Sequence, residues 1–116
     1  MASLAVLLKL RGHIVSGSDE NVYPPMSDFL AKNNIAIHKG FSPKNLEPLP
    51  DLVVIGNALS RGNPEVEAIL DLKLPYISMA ELLKEHFIRG KTSMVVTGTH
   101  GKTTTTSMLA WVFETA

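Results

Sequence analysis

The chain has no cysteine, and its charged residues form no block of a single sign. The missing thiol excludes disulfides, thiolate catalysis and cysteine-based metal sites, and it permits a cytoplasmic location. Lysine and arginine together number 11, as do aspartate and glutamate, so the formal net charge is zero. A face that binds nucleic acid needs clustered basic side chains, and this sequence offers no such cluster.

Long apolar runs are also absent. No stretch approaches the roughly 18 apolar residues that predict a membrane span. The apolar opening, Met1 to Leu10, lacks the basic start of a signal peptide, because Lys9 and Arg11 come late in the run or after it. Apolar residues nevertheless make up 45% of the 116 residues, which is enough to fill the core of one ordinary domain.

Short apolar segments alternate with segments of helical periodicity along the whole chain. Pro64 at the start of one helix and a capping box of Ser78 and Glu81 at the start of another mark two of the boundaries. This order implies an α/β fold, a Rossmann-like parallel sheet with flanking helices. Helices are predicted at 2–10, from Met26 to an end at Asn33-Asn34, from Pro64 through at least Leu70, at 79–87 and at 103–115. A single turn is predicted after Ser42-Pro43, and strands at 13–16, 35–37, 52–55, 75–77 and 94–96.

Both ends of this pattern differ from a complete doubly wound domain. Such domains ordinarily begin with a strand and a glycine-rich turn, whereas this chain begins with the helix that should follow them. After Gly90 come a strand, a loop and a helix, and a unit of about 26 residues cannot bury a core of its own. We therefore expect a domain at 1–90 without its first strand, and the start of a P-loop ATPase domain at 91–116.

The strongest local signal is a candidate phosphate loop between the predicted strand at 94–96 and the last helix. Its glycines allow the backbone N–H groups to point inward, and the helix adds its positive N-terminal end. Lys102 can reach the terminal phosphates, and the Thr103 hydroxyl can bind Mg²⁺. The generic motif has four residues between its glycines and this loop has two, so it is a variant. The candidate ATP-binding residues are Gly98, Thr99, His100, Gly101, Lys102, Thr103 and Thr104.

A glycine-containing turn with a surface lysine is the plain alternative, and the strand–loop–helix context favours the phosphate loop. His100 is interpreted as a loop residue beside the phosphates and not as a catalytic base, because no partner carboxylate can be named. The histidines show no metal-ligand spacing, so a shared metal site among them is not expected. They are His13, His38, His86 and His100.

The stretch from Gly98 to Thr105 resembles the ATP loop of the Mur ligases, which join an amino acid or peptide to a UDP-N-acetylmuramoyl carboxylate. Gly17-Ser18-Asp19 is similar to the nucleotide-recognition turn of that family's first domain, and Asn63-Pro64-Glu65 also matches. The resemblance implies ATP and Mg²⁺ as cofactors and UDP-N-acetylmuramate as a substrate. It also implies a cytoplasmic enzyme. The lack of a basic cluster and of a long apolar run predicts neither a nucleic-acid nor a membrane partner.

Two longer stretches, 17–27 and 55–64, resemble the branch of the family that attaches murein tripeptide, L-Ala-γ-D-Glu-meso-diaminopimelate, in peptidoglycan recycling. The branch that attaches L-alanine shares the ATP loop and is the alternative. A non-catalytic nucleotide-binding module derived from a ligase also stays open. A free-standing P-loop switch or kinase would need a full nucleotide domain after Lys102, and only residues 103–116 follow.

The resemblance also implies roles for individual residues. ATP phosphorylates the muramoyl carboxylate to an acyl phosphate that the tripeptide amine attacks, with Lys102 as the catalytic charge and Thr103 as the metal ligand. Tyr23-Pro24-Pro25 is either a stiff loop or a lip of the substrate site, and Trp111 and Phe113 are predicted core residues of the ATPase domain. Asp19 alone would be interpreted as a turn residue, and the resemblance favours a substrate contact instead. The implied substrate-binding residues are Gly17, Ser18, Asp19, Asn57, Ala58 and Asn63.

By the same resemblance, the first strand and glycine-rich turn should precede Met1, and the rest of the ATPase domain and the amino-substrate domain should follow Ala116. We therefore expect the 116-residue chain to bind UDP-N-acetylmuramate weakly or not at all and to catalyse no ligation. The measurement is phosphate release and product mass after incubation with UDP-N-acetylmuramate, murein tripeptide, ATP and Mg²⁺. Turnover that requires both substrates would contradict this prediction.

Overall fold

The computed structural model describes residues 1–116 and contains five α-helices and four short strands. Helices and strands alternate along most of the chain, so the predicted α/β class is confirmed. A 3₁₀ turn at Pro43–Leu46 follows Ser42 as predicted, and a π-helical turn covers Lys84–Ile88. The helices are α1 (Ala2–Leu10), α2 (Met26–Lys32), α3 (Pro64–Asp71), α4 (Met79–Leu83) and α5 (Lys102–Thr115), and the strands are β1 (Ser16–Asp19), β2 (Ala36–Lys39), β3 (Val53–Ile55) and β4 (Tyr76–Ser78).

The strands form two parallel pairs. In the first pair Ser16 of β1 lies opposite Ala36 of β2, and in the second Val53 of β3 lies opposite Tyr76 of β4. Each pair is a β–α–β unit, because α2 connects β1 to β2 and α3 connects β3 to β4. No backbone ladder joins one pair to the other, so the four strands form two small sheets and not the single sheet that the sequence predicts.

The predicted strand at 13–16 is wrong in its position. The structure begins β1 at Ser16, where pairing with β2 begins, and leaves Ile14 fully exposed (105%). Gly17, Ser18 and Asp19, which were expected to follow the strand, therefore lie within it. Apolar character located the strand only approximately, because the register of the neighbouring strand decides which residues pair.

The predicted strand at 94–96 is also wrong, since residues 92–98 adopt no regular structure. A strand requires a neighbour that accepts and donates its backbone hydrogen bonds, and no other strand runs beside this segment. Val95 is 80% exposed as a result. The helix predicted at 79–87 is α-helical only to Leu83 and continues as the π-helical turn, after which Gly90 adopts a left-handed φ of 76°.

Lys9 in α1 and Arg11 directly after it attach this helix to the first β–α–β unit and to the π-helical turn. The Lys9 ammonium donates to the carbonyls of Asn33 and Asn34, at 2.8 and 2.6 Å, where α2 ends and its dipole is negative. The Arg11 guanidinium donates to the His86 carbonyl at 2.6 Å and lies 4.1 Å from the centroid of the Phe87 ring. Helix α1 therefore connects the end of α2 with the π-helical turn.

The core is small and apolar, and α5 contributes nothing to it. Trp111 and Phe113 were predicted to be core residues of the ATPase domain, but they are 66% and 59% exposed. No part of this chain buries them. No helix combines the length and the apolar character that crossing a membrane requires. The buried residues are Leu4, Leu30, Ile35, Leu46, Ile69 and Leu82.

Leu82→Ala is expected to lower the free energy of unfolding by about 2–5 kcal/mol, because it removes a buried side chain and leaves a cavity. Leu82 is the most buried residue, with 1% of its surface exposed. Leu10→Ala is the matched control in a helix, since Leu10 is 77% exposed and its loss should change stability by less than about 0.5 kcal/mol. Urea unfolding followed by circular dichroism measures both, and equal effects would contradict the assigned core.

Candidate functional site

The carboxyl end of β1 holds three of the predicted substrate residues in one short segment. Gly17 lies against Ile37 of β2, and a Cβ placed on it would be 3.3 Å from the Ile37 Cδ1, closer than ordinary van der Waals contact. Asp19 is exposed, and its Oδ1 accepts a hydrogen bond from the Asn21 N–H at 3.0 Å. The turn-forming role of Asp19 is therefore present in the structure, and its carboxylate still faces solvent.

A cavity of about 330 Å³ lies beside this segment, between the β1–β2 pair and α2. Its volume is at the lower end of the range of small-molecule sites, which are mostly apolar with a few polar groups. Asp19 and Lys39, which lie opposite each other in the strand register, both line it. The remaining lining residues are Val22, Ser27, Leu30, Ala31, Ile35 and Ile37.

Ser18 faces the other side of the strand and is half-buried. Its Oγ accepts a hydrogen bond from the Asn45 Nδ2 at 3.2 Å, and the same nitrogen lies 3.0 Å from Oε2 of Glu65. The sequence offered no signal for Asn45, which lies in a single turn without a motif. Glu65 was quoted for the family match, but sequence reasoning assigned it no role.

The second group of predicted substrate residues follows β3. Asn57 and Ala58 are exposed in the loop, and Asn63 ends that loop by capping α3. The Asn63 Oδ1 accepts hydrogen bonds from the N–H groups of Glu65 and Val66 at 3.0 and 3.2 Å. One oxygen of Asn63 is thus committed to the helix, as the Asn-Pro start predicts.

The side chain of Met1, the residue that precedes α1, also reaches this end of β3. A Cβ placed on Gly56, the residue after β3, would be 4.0 Å from the Met1 Cε. The N-terminal end of a helix carries partial positive charge and unpaired N–H groups. Positive electrostatic character therefore lies next to the loop that carries Asn57 and Ala58.

In the candidate phosphate loop, both glycines have the positive φ values that their residue type allows. Gly98 and Gly101 have φ values of 149° and 73°, both in the region that favours glycine, and Gly101 directly precedes the first residue of α5. No side chain caps α5, so the N–H groups of its first turn keep no intrahelical acceptor. These free donors, the adjacent Lys102 ammonium and the loop's full exposure suit an anionic ligand such as a polyphosphate.

Metal-binding groups at this loop are few. No cluster of three or more histidine, aspartate or glutamate side chains is present that could hold a metal ion. His100 is exposed and has no hydrogen bond to a carboxylate. The role of the exposed Thr103 hydroxyl as a Mg²⁺ ligand stays a prediction.

The structure brings together the residues within each group but does not join the phosphate loop to the others. Ser18 is linked through Asn45 to Glu65, which follows Asn63 by two residues. No side-chain hydrogen bond links residues 97–104 to the ends of β1 or β3, which belong to a separate part of the chain. The candidate site therefore consists of a substrate part around β1 and β3 and a separate phosphate loop.

Comparison with known proteins identifies the class. A sequence model of the Mur ligase family, catalytic domain, matches residues 1–91. Because that match covers most of the chain, this protein belongs to the Mur ligase family. The resemblance inferred from the glycine-rich loop and the Gly-Ser-Asp segment is thereby confirmed.

Individual relatives narrow the similarity further. The chain is 50% identical over 114 residues to the UDP-N-acetylmuramate–L-alanyl-γ-D-glutamyl-meso-2,6-diaminoheptandioate ligase of Escherichia coli K12, a match that covers 98% of this chain and 25% of the relative. It is 42% identical over 118 residues to the UDP-N-acetylmuramate–L-alanine ligase of Rickettsia bellii, covering all of this chain and 24% of that protein. The chain thus spans about a quarter of the length of the curated relatives that it matches.

The fold agrees with this assignment. The crystal structure of the UDP-N-acetylmuramate:L-alanyl-γ-D-glutamyl-meso-diaminopimelate ligase from Neisseria meningitides matches with a TM-score of 0.92 and 48% identity. The match covers 98% of this chain and 36% of that structure. The higher identity to the tripeptide-adding relatives than to the L-alanine-adding one agrees with the branch predicted from stretches 17–27 and 55–64.

Asn63→Ala is expected to lower the free energy of unfolding by about 1 kcal/mol, because it leaves two N–H groups of α3 without their acceptor. Asn63→Asp keeps an oxygen at that position and should lose less than about 0.5 kcal/mol, since aspartate caps helices as well as asparagine does. Thermal unfolding followed by circular dichroism compares the two. If both variants were as stable as the original chain, the capping role would be refuted.

Proposed function

We propose that this chain carries the UDP-substrate-binding part and the phosphate loop of an ATP-dependent ligase that joins murein tripeptide to UDP-N-acetylmuramate. The observation that carries the proposal is the 50% identity over 98% of the chain to a ligase of that name. The intact activity would belong to peptidoglycan recycling in the cytoplasm. It would require neither a nucleic acid nor a membrane partner.

The substrate part of the site supports binding of a nucleoside diphosphate sugar. The cavity beside Asp19 is large enough for a nucleobase, and the exposed Asp19 carboxylate can accept hydrogen bonds from a ribose or base. The N-terminal end of α1, close to Gly56, offers positive potential for a diphosphate. Open α/β sheets place their ligands at the carboxyl ends of the strands, where Gly17, Ser18, Asn57 and Ala58 lie.

The phosphate loop supports the ATP-dependent step. When bound, ATP supplies the phosphoryl group that activates the muramoyl carboxylate, and the peptide amine then displaces phosphate to form the amide. The chain's own residues would bind and orient the polyphosphate through the N–H groups of α5, and Lys102 would offset negative charge. Charge neutralisation at the transferred phosphoryl group is the main requirement of this chemistry, and a protein nucleophile is not needed.

The domain organisation is part of the proposal. We place the boundary at residues 90–91, with the UDP-substrate domain before it and the ATP-binding domain after it. Two observations support this placement: the π-helical turn ends at Ile88 and is followed by the left-handed Gly90, and α5 buries no residue against the preceding elements. No residue of 91–116 is buried, so this segment shares no core with residues 1–90.

Addition of L-alanine instead of tripeptide is the second candidate, because the similarity to an L-alanine ligase covers the whole chain at 42% identity. Both reactions use UDP-N-acetylmuramate and ATP and differ in the amine. None of the candidate residues in this chain is proposed to bind the amine substrate. The lower identity is the observation that places this candidate second.

Lys102→Ala is expected to weaken Mg-ATP binding and to spare UDP-N-acetylmuramate, and Asp19→Ala should do the reverse. A hydrogen bond to a charged group contributes about 1.5–3 kcal/mol, so each loss should be at least about tenfold in affinity. Thr103→Ala should reproduce part of the Lys102 effect and raise the Mg²⁺ requirement. Titration of the 116-residue chain with each ligand, followed by amide chemical shifts in NMR, measures even weak affinities.

Matched controls are Lys91→Ala and Asp51→Ala, which remove an exposed lysine and an exposed aspartate outside the proposed site. Both should leave the two affinities within about twofold of the original chain, since surface substitutions ordinarily have small effects. The informative result is that Lys102→Ala weakens only Mg-ATP binding and Asp19→Ala weakens only UDP-N-acetylmuramate binding. If Lys102→Ala bound Mg-ATP as well as the original chain, the phosphate-loop assignment would be wrong.

A further inference from the structure

A cluster of hydrogen bonds connects the two β–α–β units where their backbones do not. It consists of Asn45 in the 3₁₀ turn, Glu65 in the first turn of α3, the Ser18 hydroxyl, the Gly40 carbonyl and the Ser42 N–H. We call it the Asn45–Glu65 cluster. No backbone ladder joins β1 to β3. The cluster therefore provides the polar contacts between the carboxyl ends of β1 and β2 and the first turn of α3.

Asn45 is the centre of the cluster. Its Nδ2 lies 3.2 Å from the Ser18 Oγ, 3.0 Å from the Gly40 carbonyl oxygen and 3.0 Å from Oε2 of Glu65. The Gly40 carbonyl and the Glu65 carboxylate can only accept, so the amide nitrogen and not the amide oxygen must face them, and the Ser18 hydroxyl can accept from the same nitrogen. The residue type is thus specified by its surroundings, because an oxygen at this point would face a carboxylate and a carbonyl.

Glu65 is held by donors and not by a cation. Its Oε2 accepts from the Asn45 Nδ2 and from the Ser42 N–H, the latter at 3.2 Å. The single side-chain ion pair of the chain joins Arg89 to Glu85 and lies elsewhere. The N-terminal end of α3 and the N–H donors therefore stabilise the Glu65 carboxylate.

We propose that Asn45 and Glu65 are positioning residues for UDP-substrate binding. They hold Ser18 and the end of β2 against α3, so that Gly17–Asp19 and the loop from Asn57 to Asn63 keep one relative arrangement. This inference rests on the proposed function, because it assigns both groups to the same substrate. Neither Asn45 nor Glu65 needs to contact the ligand itself.

The test measures UDP-N-acetylmuramate affinity of the 116-residue chain by NMR titration, at a temperature where circular dichroism shows every variant fully folded. Asn45→Ala and Asn45→Asp should each weaken binding at least about fivefold, because the first removes the amide donors shared by the three acceptors and the second opposes two carboxylates. Mg-ATP affinity should not change. The Asp19 and Asn21 amide signals of Asn45→Ala should shift before any ligand is added.

Conservative variants separate positioning from mere stability. Glu65→Gln retains an oxygen acceptor and should bind UDP-N-acetylmuramate within about twofold of the original chain, whereas Glu65→Ala should resemble Asn45→Ala. Adding Glu65→Gln to Asn45→Asp removes the carboxylate repulsion and should restore part of the affinity. Asn33→Ala is the matched control, since the Asn33 amide donates only to the Phe29 carbonyl at the end of α2.

The outcomes separate two kinds of failure. If the original chain gave no chemical-shift change with UDP-N-acetylmuramate, the positioning roles would be overturned for this chain, whereas the proposed function, which rests on the identity to the tripeptide-adding relative, would not. If the original chain bound and the Asn45 variants bound equally well while melting at lower temperature, only the positioning roles would be overturned. Should Asn45→Ala not fold, equal affinities of Glu65→Gln and Glu65→Ala would overturn them as well.

Discussion

The two strand pairs share no backbone hydrogen bonds, and this is the constraint on which the candidate site depends. Within each pair the parallel ladder sets the register, so Asp19 and Lys39 lie opposite each other without any help from side chains. Between the pairs, the relative placement of β1 and β3 rests on side chains and on α1. The candidate substrate residues are divided between those strands. A change in the side-chain contacts can therefore alter the site without altering either ladder.

Two sets of polar contacts meet this constraint at opposite ends of the units. Lys9 and Arg11 attach the last turn of α1 to the end of α2 and to the π-helical turn. The Asn45–Glu65 cluster acts where β1 and β2 end and α3 begins. Both sets direct charged or amide groups at backbone carbonyls and N–H groups, which are fixed by the secondary structure. The buried apolar residues add packing but carry little directional information.

Sequence patterns predicted the helices well, because their signals are local. Asn63-Pro64, Ser78 with Glu81, and Ser42-Pro43 each satisfy nearby N–H groups, and all three caps occur in the structure. Strand positions were less accurate, since pairing depends on a neighbour that is distant in the sequence. Ile14 and Val95 are apolar and favour strands, yet neither lies in one. The prediction of a strand at 94–96 was wrong because no neighbouring strand pairs with that segment.

The candidate site was predictable only where a motif is contiguous. The candidate phosphate loop and the Gly17–Asp19 segment are short contiguous motifs, which can be recognised in the sequence without knowledge of the fold. The roles assigned to their residues remain predictions. Asn45 and Glu65 are 20 residues apart and form a contact only after folding. No pattern of polar residues along the sequence predicts that these two side chains form a contact. The Asn63-Pro64-Glu65 stretch was part of the family resemblance, but the resemblance assigned Glu65 no role.

The exposure of α5 has a spectroscopic consequence. Trp111 is the only tryptophan of the chain and lies on a helix that has no buried residue, with 66% of its own surface in solvent. Its fluorescence emission consequently resembles that of an indole in water whether or not residues 1–90 are folded. A blue shift of that emission would report the arrival of a covering surface on α5. The chain thus contains an intrinsic probe for docking of its last helix, and unfolding of the substrate part must be followed by other signals.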